Sequence, residues 1–328
     1  FHGHHPQSDK GLILTQWPHQ PVMLEEVCEH LKAVPGGRYI DGTVGLGGHT
    51  EAVLSRFPDS HVLGVDRDRD ALAQAGQRLA GFGDRVVLVQ GSYSEMERHA
   101  TQVGWDRVDG ILLDIGISSM QLDTAGRGFS HRLDGPLDMR MDRRGPVTAA
   151  TIVNTWTEDQ LTDVFRRYGE ERRARQVARA VVAEREERPF ARTAELAELL
   201  QRVVGQRRGP TLPPATRCFQ ALRIAVNREL AELEAGLVSA LKLLRPGGRL
   251  VVISFHSLED RIAKHFFRHE AAICVCPPGL PICVCGKKAT LQILTRKPLR
   301  PSAEELDMNR RAGSAKLRAV ERLADDAT

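Results

Sequence analysis

Residues 38–57 read RYIDGTVGLGGHTEAVLSRF, and this stretch decides the fold of the 328-residue chain. The run 38–43 predicts a first β-strand, and residues 48–57 predict the helix that follows it. The glycines between them let the backbone turn tightly and approach a ligand without a Cβ in the way. The stretch therefore predicts the first strand–turn–helix unit of an α/β domain, with a ligand at the turn.

Further strands repeat this rhythm along the chain, and a helical pattern over 68–79 separates two of them. Strands separated by helices of this length form right-handed βαβ units and therefore a parallel sheet. The predicted strands after the first are His61–Asp66, 85–90, 108–115 and 249–255, with a candidate last strand at 291–296.

The strand rhythm is lost between residues 123 and 217, where helical patterns predominate. Helices are predicted at 157–168, 170–187 and 193–204, and the last of these has a capping sequence at its start. We therefore expect one α/β domain formed by residues 20–122 and 218–328, interrupted by a helical insertion over 123–217. Residues 1–19, rich in histidine, are expected to be a flexible arm.

Composition and charge limit the class of protein. No apolar run is long enough to cross a bilayer, no signal segment is present, and six cysteines do not suggest a secreted disulfide scaffold. A cytoplasmic protein is expected. The net charge of +4 conceals arginine clusters at 202–223 and 310–318, which are nearly free of acids and favour contacts with phosphates.

The glycine turn also restricts the ligand. A nicotinamide dinucleotide would require G-x-G-x-x-G, but Thr50 stands at the third glycine position, and no P-loop sequence is present. Asp66 at the end of the second strand can accept ribose hydroxyls, although a solvated turn acid is the alternative. Tyr93 follows the third strand and can stack on adenine, and Asp114 ends the fourth. Because ligands bind outside the carboxyl ends of such strands, these residues predict a site for S-adenosylmethionine.

Longer motifs carry a family resemblance. Residues 111–142 read ILLDIGISSMQLDTAGRGFSHRLDGPLDMRMD, and this block resembles the signature of the bacterial 16S rRNA cytosine-N4 methyltransferase family, called RsmH or MraW. Further matches are YGEE at 168–171, PATRCFQALRIAVN at 214–227, ISFHSLEDR at 253–261 and SAKLR at 314–318. The resemblance extends over about residues 18–323. The sequence RRAG at 310–313 departs from the family's usual Pro-Arg-Ala-Arg.

The resemblance implies a Rossmann-like class I methyltransferase sheet with an inserted helical domain. It implies S-adenosylmethionine as methyl donor and N4 of a decoding-region cytosine, in 16S rRNA of the small ribosomal subunit, as acceptor. Carried over by matching motif, the cofactor contacts are Gly47, Gly48, His49, Asp66, Tyr93, Asp114 and Gln121.

Methyl transfer to an exocyclic amine requires alignment of the reactants and an acceptor for the amine hydrogens. Three side chains are candidates for this acceptor, with none preferred: Asp114, Asp138 and His256. Candidate RNA contacts are Arg207, Arg208, Arg217, Arg223, Arg310, Arg311, Lys316 and Arg318. For Arg223, a structural pair with Asn227 is an equal alternative.

Two other functions compete with this one. The first is a methyltransferase of another substrate, either DNA cytosine or adenine or a protein amide. Amino methyltransferases of DNA often carry Asp/Asn-Pro-Pro-Tyr after the fourth strand, whereas this chain has DIGI at 114–117, so DNA is not expected as a partner. A non-catalytic RNA-binding or assembly factor that kept the cofactor fold is the second competitor, and the intact glycine turn argues against it.

Cys274, Cys276, Cys283 and Cys285 form the pattern C-x-C-x6-C-x-C. Four thiolates on a short loop could bind zinc in a tetrahedral site, but the spacing is not that of the usual C-x-x-C knuckle. Reduced thiols without a metal and a disulfide are the alternatives, and no metal is assigned from the sequence.

Overall fold

A computed structural model describes residues 21–205, 214–277, 282 and 284–324. The expected N-terminal arm, Arg207, Arg208 and Cys283 lie outside the described residues. No helix within those ranges is long and apolar enough to span a membrane.

The described strands form a single seven-stranded sheet in the order β3-β2-β1-β4-β5-β7-β6. Strands β1 to β5 are parallel, whereas β7 is antiparallel to both of its neighbours. The strands are β1 (Arg38–Asp41), β2 (His61–Asp66), β3 (Val86–Gln90), β4 (Val108–Asp114), β5 (Leu244–Ser254), β6 (Leu291–Ile293) and β7 (Lys316–Arg322).

Helices cover both faces of this sheet, so its central strands are buried on both sides. In β4 the alternating side chains divide between two cores: Leu112 packs into one and Leu113 into the other. The first core is closed by α1 (Leu24–Leu31), α2 (Gly48–Arg56) and α3 (Arg69–Leu79). The second is closed by α4 (Met96–Gln102), α11 (Glu229–Leu243) and α12 (Ser257–Ala271).

The chain leaves the sheet after β4 and forms a helical unit before it returns in β5. Within the described part of 123–217 there is no strand, only one isolated bridge between Pro136 and Arg192. The helices from β4 onward are α5 (Ser119–Asp123), α6 (Ala149–Thr155), α7 (Glu158–Arg167), α8 (Ala174–Glu187), α9 (Thr193–Val204) and α10 (Pro214–Asn227), and α13 (Ala303–Met308) follows β6.

The helical unit has an apolar core of its own, which its sequence pattern explains. In α7 the side chain of Thr157 accepts a hydrogen bond from the Gln160 amide, which forms a capping box at the helix start. Leu161 and Phe165, one turn apart on α7, are fully buried in this core. Cys218 and Leu222 of α10 belong to the same core. Because α10 is continuous across residue 217, we propose that the insertion extends to about residue 222.

Three details differ from the sequence-based expectation. Strand β7 was not predicted, although it lies inside the sheet between β5 and β6. Strand β5 begins at Leu244, before the predicted start at residue 249, and its register against β4 is irregular between Val108 and Gly110. The helix predicted from residue 170 begins at Ala174, since Glu170 has a positive φ of 49° and the buried Glu171 carboxylate accepts a hydrogen bond from the Arg173 amide.

Candidate active site

A cavity of about 220 Å³ opens at the carboxyl ends of β1, β2 and β4, where ligands bind in open α/β sheets. It contains six of the seven predicted cofactor contacts; Gly47, the exception, is the N-cap of α2. The six that line it are Gly48, His49, Asp66, Tyr93, Asp114 and Gln121.

The turn between β1 and α2 needs glycine at two positions. Gly45 and Gly47 have φ values of 51° and 83°, in the left-handed region where a side chain is strained. A Cβ on Gly47 would also lie 3.1 Å from Cδ1 of Leu79. The turn is therefore closely packed on α3, and it presents the Gly45 amide to the end of the next strand.

The carboxylate of Asp66 accepts a hydrogen bond from that amide. Its Oδ2 accepts from Gly45 N at 2.8 Å, and its Oδ1 accepts from Asp68 N at 2.8 Å. A carboxylate offers about four lone-pair sites, so two remain for the ribose hydroxyls. Burial raises the pKa of Asp66 to about 6, against the effect of the two amides. The carboxylate is thus held in place and is ionised at neutral pH.

Asp114 lies opposite, at the end of β4, with its own set of contacts. Its amide donates to Oγ1 of Thr43 at 2.7 Å, and its Oδ2 lies 3.7 Å from Nδ1 of His49. The other ring nitrogen of His49 donates to the carbonyl of Val22 at 2.9 Å. Burial raises the pKa of Asp114 to about 6. Its Oδ1 is buried and has no hydrogen-bond partner among the described residues.

Tyr93 forms one wall of the cavity and is 8% exposed. Its ring packs so closely on α11 that a Cβ on Gly236 would lie 2.5 Å from Cδ2 of the ring. A Cβ on Gly42 would lie 2.8 Å from the Cβ of Tyr93. The two glycines therefore fix the ring beside the cavity.

A buried polar network next to the cavity was missed by sequence reasoning. Arg127 donates to Oδ2 of Asp68 at 2.7 Å, and Gln121 donates to the same oxygen at 2.8 Å. All three side chains are nearly inaccessible. Arg127 also donates to the carbonyls of Arg140 and Met141 at 3.0 and 3.2 Å. The only available signal was its place inside the 111–142 motif.

Two predicted acceptors do not lie on this cavity. Asp138 is paired with Arg140, with nitrogen–oxygen distances of 2.7 and 2.8 Å to its two oxygens. His256 caps α12: its Nδ1 accepts from the Glu259 amide at 3.4 Å, and its Nε2 lies 2.9 Å from Oε1 of Glu259. Neither side chain lines the cavity, whereas Asp114 does.

Several predicted RNA contacts are instead paired with acids of the protein. Arg217 pairs with the buried Glu171. Arg223 makes two hydrogen bonds of 2.8 Å to Glu229. The predicted pair of Arg223 with Asn227 involves only the backbone of Arg223. The side-chain Nδ2 of Asn227 donates to the carbonyl oxygen of Arg223. In this structure both guanidinium groups neutralise buried carboxylates.

The predicted C-terminal RNA contacts fall into two groups, one paired inside the fold and one exposed. Lys316 and Arg318 lie in β7 and both contact Asp260, at 3.5 and 2.7 Å. Since Arg318 is 8% exposed, its role in this structure is to pair inside the fold. Arg310 and Arg311 are exposed, and Arg311 pairs with Asp123 at 2.6 Å.

A second cavity, of about 510 Å³, lies between the helical unit and α5. It shares Ile117 with the first cavity, so the two are adjacent. The His131 ring packs edge-on against Phe219, with centroids 5.6 Å apart. Arg132 and Arg311, both exposed, also line it. Its wall is therefore partly aromatic, and three arginines line it, of which Arg223 is paired with Glu229.

The fold and the first cavity together define a class of protein. The five parallel strands lie in the order 3-2-1-4-5, with the antiparallel β7 beside β5. A glycine turn follows β1, and carboxylates end β2 and β4. This combination is that of a class I S-adenosylmethionine-dependent methyltransferase. The cavity suits this cofactor, because its glycine turn admits close approach and the Asp66 carboxylate keeps acceptor sites for the ribose hydroxyls.

The chain belongs to the MraW methylase family, whose model matches residues 16–323. It is 53% identical over 309 residues to the ribosomal RNA small subunit methyltransferase H of Carboxydothermus hydrogenoformans, with 94% of this chain and 99% of the relative covered. The protein of the same name from Thermomicrobium roseum is 52% identical over 309 residues, with 94% of both chains covered.

Proposed function

We propose that this protein transfers a methyl group from S-adenosylmethionine to the exocyclic N4 of a cytosine in the decoding region of 16S rRNA, in the small ribosomal subunit in the cytoplasm. The observation that carries the proposal is the contact of two different cavities at Ile117. One has the carboxylates and glycine turn of a cofactor site, and the other has aromatic walls and arginines. The names of the relatives and the 111–142 motif support the choice of substrate.

The second cavity suits a nucleotide taken out of its stack. Single-stranded or flipped bases are bound between aromatic side chains, and arginines contact their phosphates. Phe129, His131 and Phe219 supply the rings, and Arg132 and Arg311 supply the charge. A base held here would lie beside Ile117, which also lines the first cavity together with Asp114.

When bound, the cofactor supplies an electrophilic methyl group on a sulfonium. The Gly45 turn and Asp66 would hold it by its amino-acid and ribose parts. The amine of cytosine is a weak nucleophile because its lone pair is delocalised into the ring. Oδ1 of Asp114 can accept an N4 hydrogen and so orient that lone pair and stabilise the positive charge that develops. Because the alkylated nitrogen is acidic, a carboxylate with a pKa of about 6 suffices to take its proton.

The decisive experiment offers the purified protein and labelled methyl donor to small subunits, naked 16S RNA, DNA duplexes and total protein. We expect label at N4 of one cytosine of the RNA, located by mass spectrometry. Label on DNA or protein, with none on a cytosine of the RNA, would contradict the proposal. RNA binding without any transfer would support the assembly-factor alternative.

Asp114→Asn tests the acceptor. We expect turnover at saturating donor to fall by about 10²-fold, the lower range for an oriented acid–base or electrostatic group. Asp138→Asn is the matched comparison, because Asp138 is paired with Arg140 away from the cavity. Equal loss in the two variants would remove Asp114 from this role.

A further inference from the structure

The loop between α12 and β6 contains two similar tripeptides, Cys274-Val275-Cys276 and Cys283-Val284-Cys285. Three of the four cysteines are described, and their sulfur atoms all lie within 4.8 Å of one another. The Sγ atoms of Cys274 and Cys285 are 3.9 Å apart. The loop therefore brings thiols from both tripeptides to one point.

The sulfur–sulfur distance can be compared with the distances expected for a disulfide and for two ligands of one zinc ion. A disulfide requires about 2.05 Å between the sulfurs. Two thiolates on one tetrahedral zinc ion, each with a Zn–S bond of about 2.3 Å, are about 3.8 Å apart. The separation of 3.9 Å excludes a disulfide between Cys274 and Cys285, and it matches both the edge of a zinc tetrahedron and a hydrogen bond between two thiols.

Backbone amides point at the same sulfurs. The amide of Val275 lies 3.5 Å from Sγ of Cys285, and the amide of Cys276 lies 3.4 Å from Sγ of Cys274. Hydrogen bonds from amides stabilise the thiolate form, which is the form that binds metals. The backbone is thus arranged around negatively charged sulfurs.

The apolar residues of the loop are exposed, as is Cys274. Ile273, Ile282 and Val284 are 78%, 74% and 79% exposed, and Val275 is 47% exposed. Hydrophobic burial alone would turn these side chains inward, since each gains free energy on leaving water. A loop that exposes its isoleucines and valines and gathers its cysteines is folded by another force. Metal ligation supplies such a force in small loops without a core.

We propose that Cys274, Cys276 and Cys285 bind a structural Zn²⁺ ion as thiolates. Soft sulfur ligands in a tetrahedral set select zinc or an iron–sulfur centre, and the edge length matches a single zinc ion. Three thiolates leave one position of the tetrahedron for a further ligand. The helix α12 has 15 residues and rises about 22 Å, which places the ion far from Phe255 and the cofactor cavity. The ion would fix the connection from α12 to β6 and take no part in methyl transfer.

The test is the metal content of the full chain, purified under reducing conditions without metal-affinity steps and dialysed before elemental analysis. We expect one zinc per chain in the wild type, and near-complete loss in Cys274→Ser and Cys285→Ser. Val284→Ser is the matched control in the same loop, and it should keep one zinc. A second control, His4→Ala with His5→Ala, removes histidines of the N-terminal segment that can bind metal adventitiously, and it should also keep the ion.

Cobalt substitution gives an independent measurement. Co²⁺ at this site should show the visible ligand-field bands of tetrahedral cobalt and a sulfur charge-transfer band, and both should disappear in Cys285→Ser. Affinity for S-adenosylmethionine should stay within about twofold in the cysteine variants, which shows that they are folded. Wild-type protein without stoichiometric zinc, zinc lost with the histidines but kept in Cys274→Ser, or iron with acid-labile sulfide would each overturn the proposal.

Discussion

Replacing Asp66 by alanine should weaken cofactor binding far more than it weakens the fold. The carboxylate holds Gly45 N and Asp68 N at 2.8 Å each and keeps two lone-pair sites toward the cavity. Hydrogen bonds to a charged group contribute about 1.5–3 kcal/mol. The dissociation constant for S-adenosylmethionine should therefore rise about 10- to 150-fold.

The same change leaves two backbone amides without their acceptor. A buried amide left unpaired costs about 1–3 kcal/mol, but Asp66 borders the cavity, where water can replace the lost oxygen atoms in part. We therefore expect a moderate fall in the free energy of unfolding, and a cooperative unfolding transition that is retained.

Isothermal titration calorimetry with S-adenosylmethionine and its demethylated product measures the affinity, and thermal unfolding measures the fold. Asp70→Ala is the matched control, because it removes an acid four residues away whose side chain is 59% exposed. The reasoning is refuted if Asp66→Ala binds the cofactor as tightly as Asp70→Ala does.

Four further results are expected. The pKa values of Asp66 and Asp114 are raised to about 6, so cofactor affinity should be constant above about pH 7. By pH 5 the affinity should fall about tenfold for each of these carboxylates that must be ionised for binding. Calorimetry at several pH values measures this. The same raised values mean that the free folded protein holds protons more tightly than the unfolded chain, so its free energy of unfolding should decrease from about pH 4 to pH 6. Arg127→Met should lower the free energy of unfolding by about 3–5 kcal/mol, since it leaves a buried carboxylate unpaired, whereas Arg144→Met at the surface should leave denaturant midpoints unchanged. Arg132→Ala should weaken RNA binding without changing cofactor affinity, and it should reduce the salt dependence of RNA binding by about one phosphate contact. Filter binding at several salt concentrations measures this dependence. An unchanged slope of log affinity against log salt concentration would argue against the contact.

Local patterns were sufficient for the first half of the sheet and for the position of the cofactor cavity. A strand ending in Asp41, followed by glycines at 42, 45, 47 and 48, has few other structural solutions. Asp66 and Asp114 were located because each ends a predicted strand, and parallel strands bring their carboxyl ends to one edge.

The parts that could not be predicted involve charged residues whose partners are distant in sequence. Strand β7 carries Lys316 and Arg318 between apolar residues, so its sequence resembles an exposed basic segment. Only the fold reveals that Asp260, 58 positions from Arg318, accepts its hydrogen bonds. The same reason applies to Arg217 and its partner Glu171: a count of charges treats each residue alone, whereas buried ions occur in pairs.

The buried guanidinium of Arg127 joins two parts of the protein for which we propose different ligands. It holds the carbonyls of Arg140 and Met141 in the helical unit and the carboxylate of Asp68, whose amide in turn binds Asp66. We expect a ligand that displaces Arg127 to affect Asp66 as well, the carboxylate that we propose binds the ribose. By thermodynamic reciprocity, the factor by which such a ligand changes cofactor affinity equals the factor by which the cofactor changes the affinity for that ligand. The coupling free energy between the two ligands can be measured by titrating one ligand in the presence and in the absence of the other.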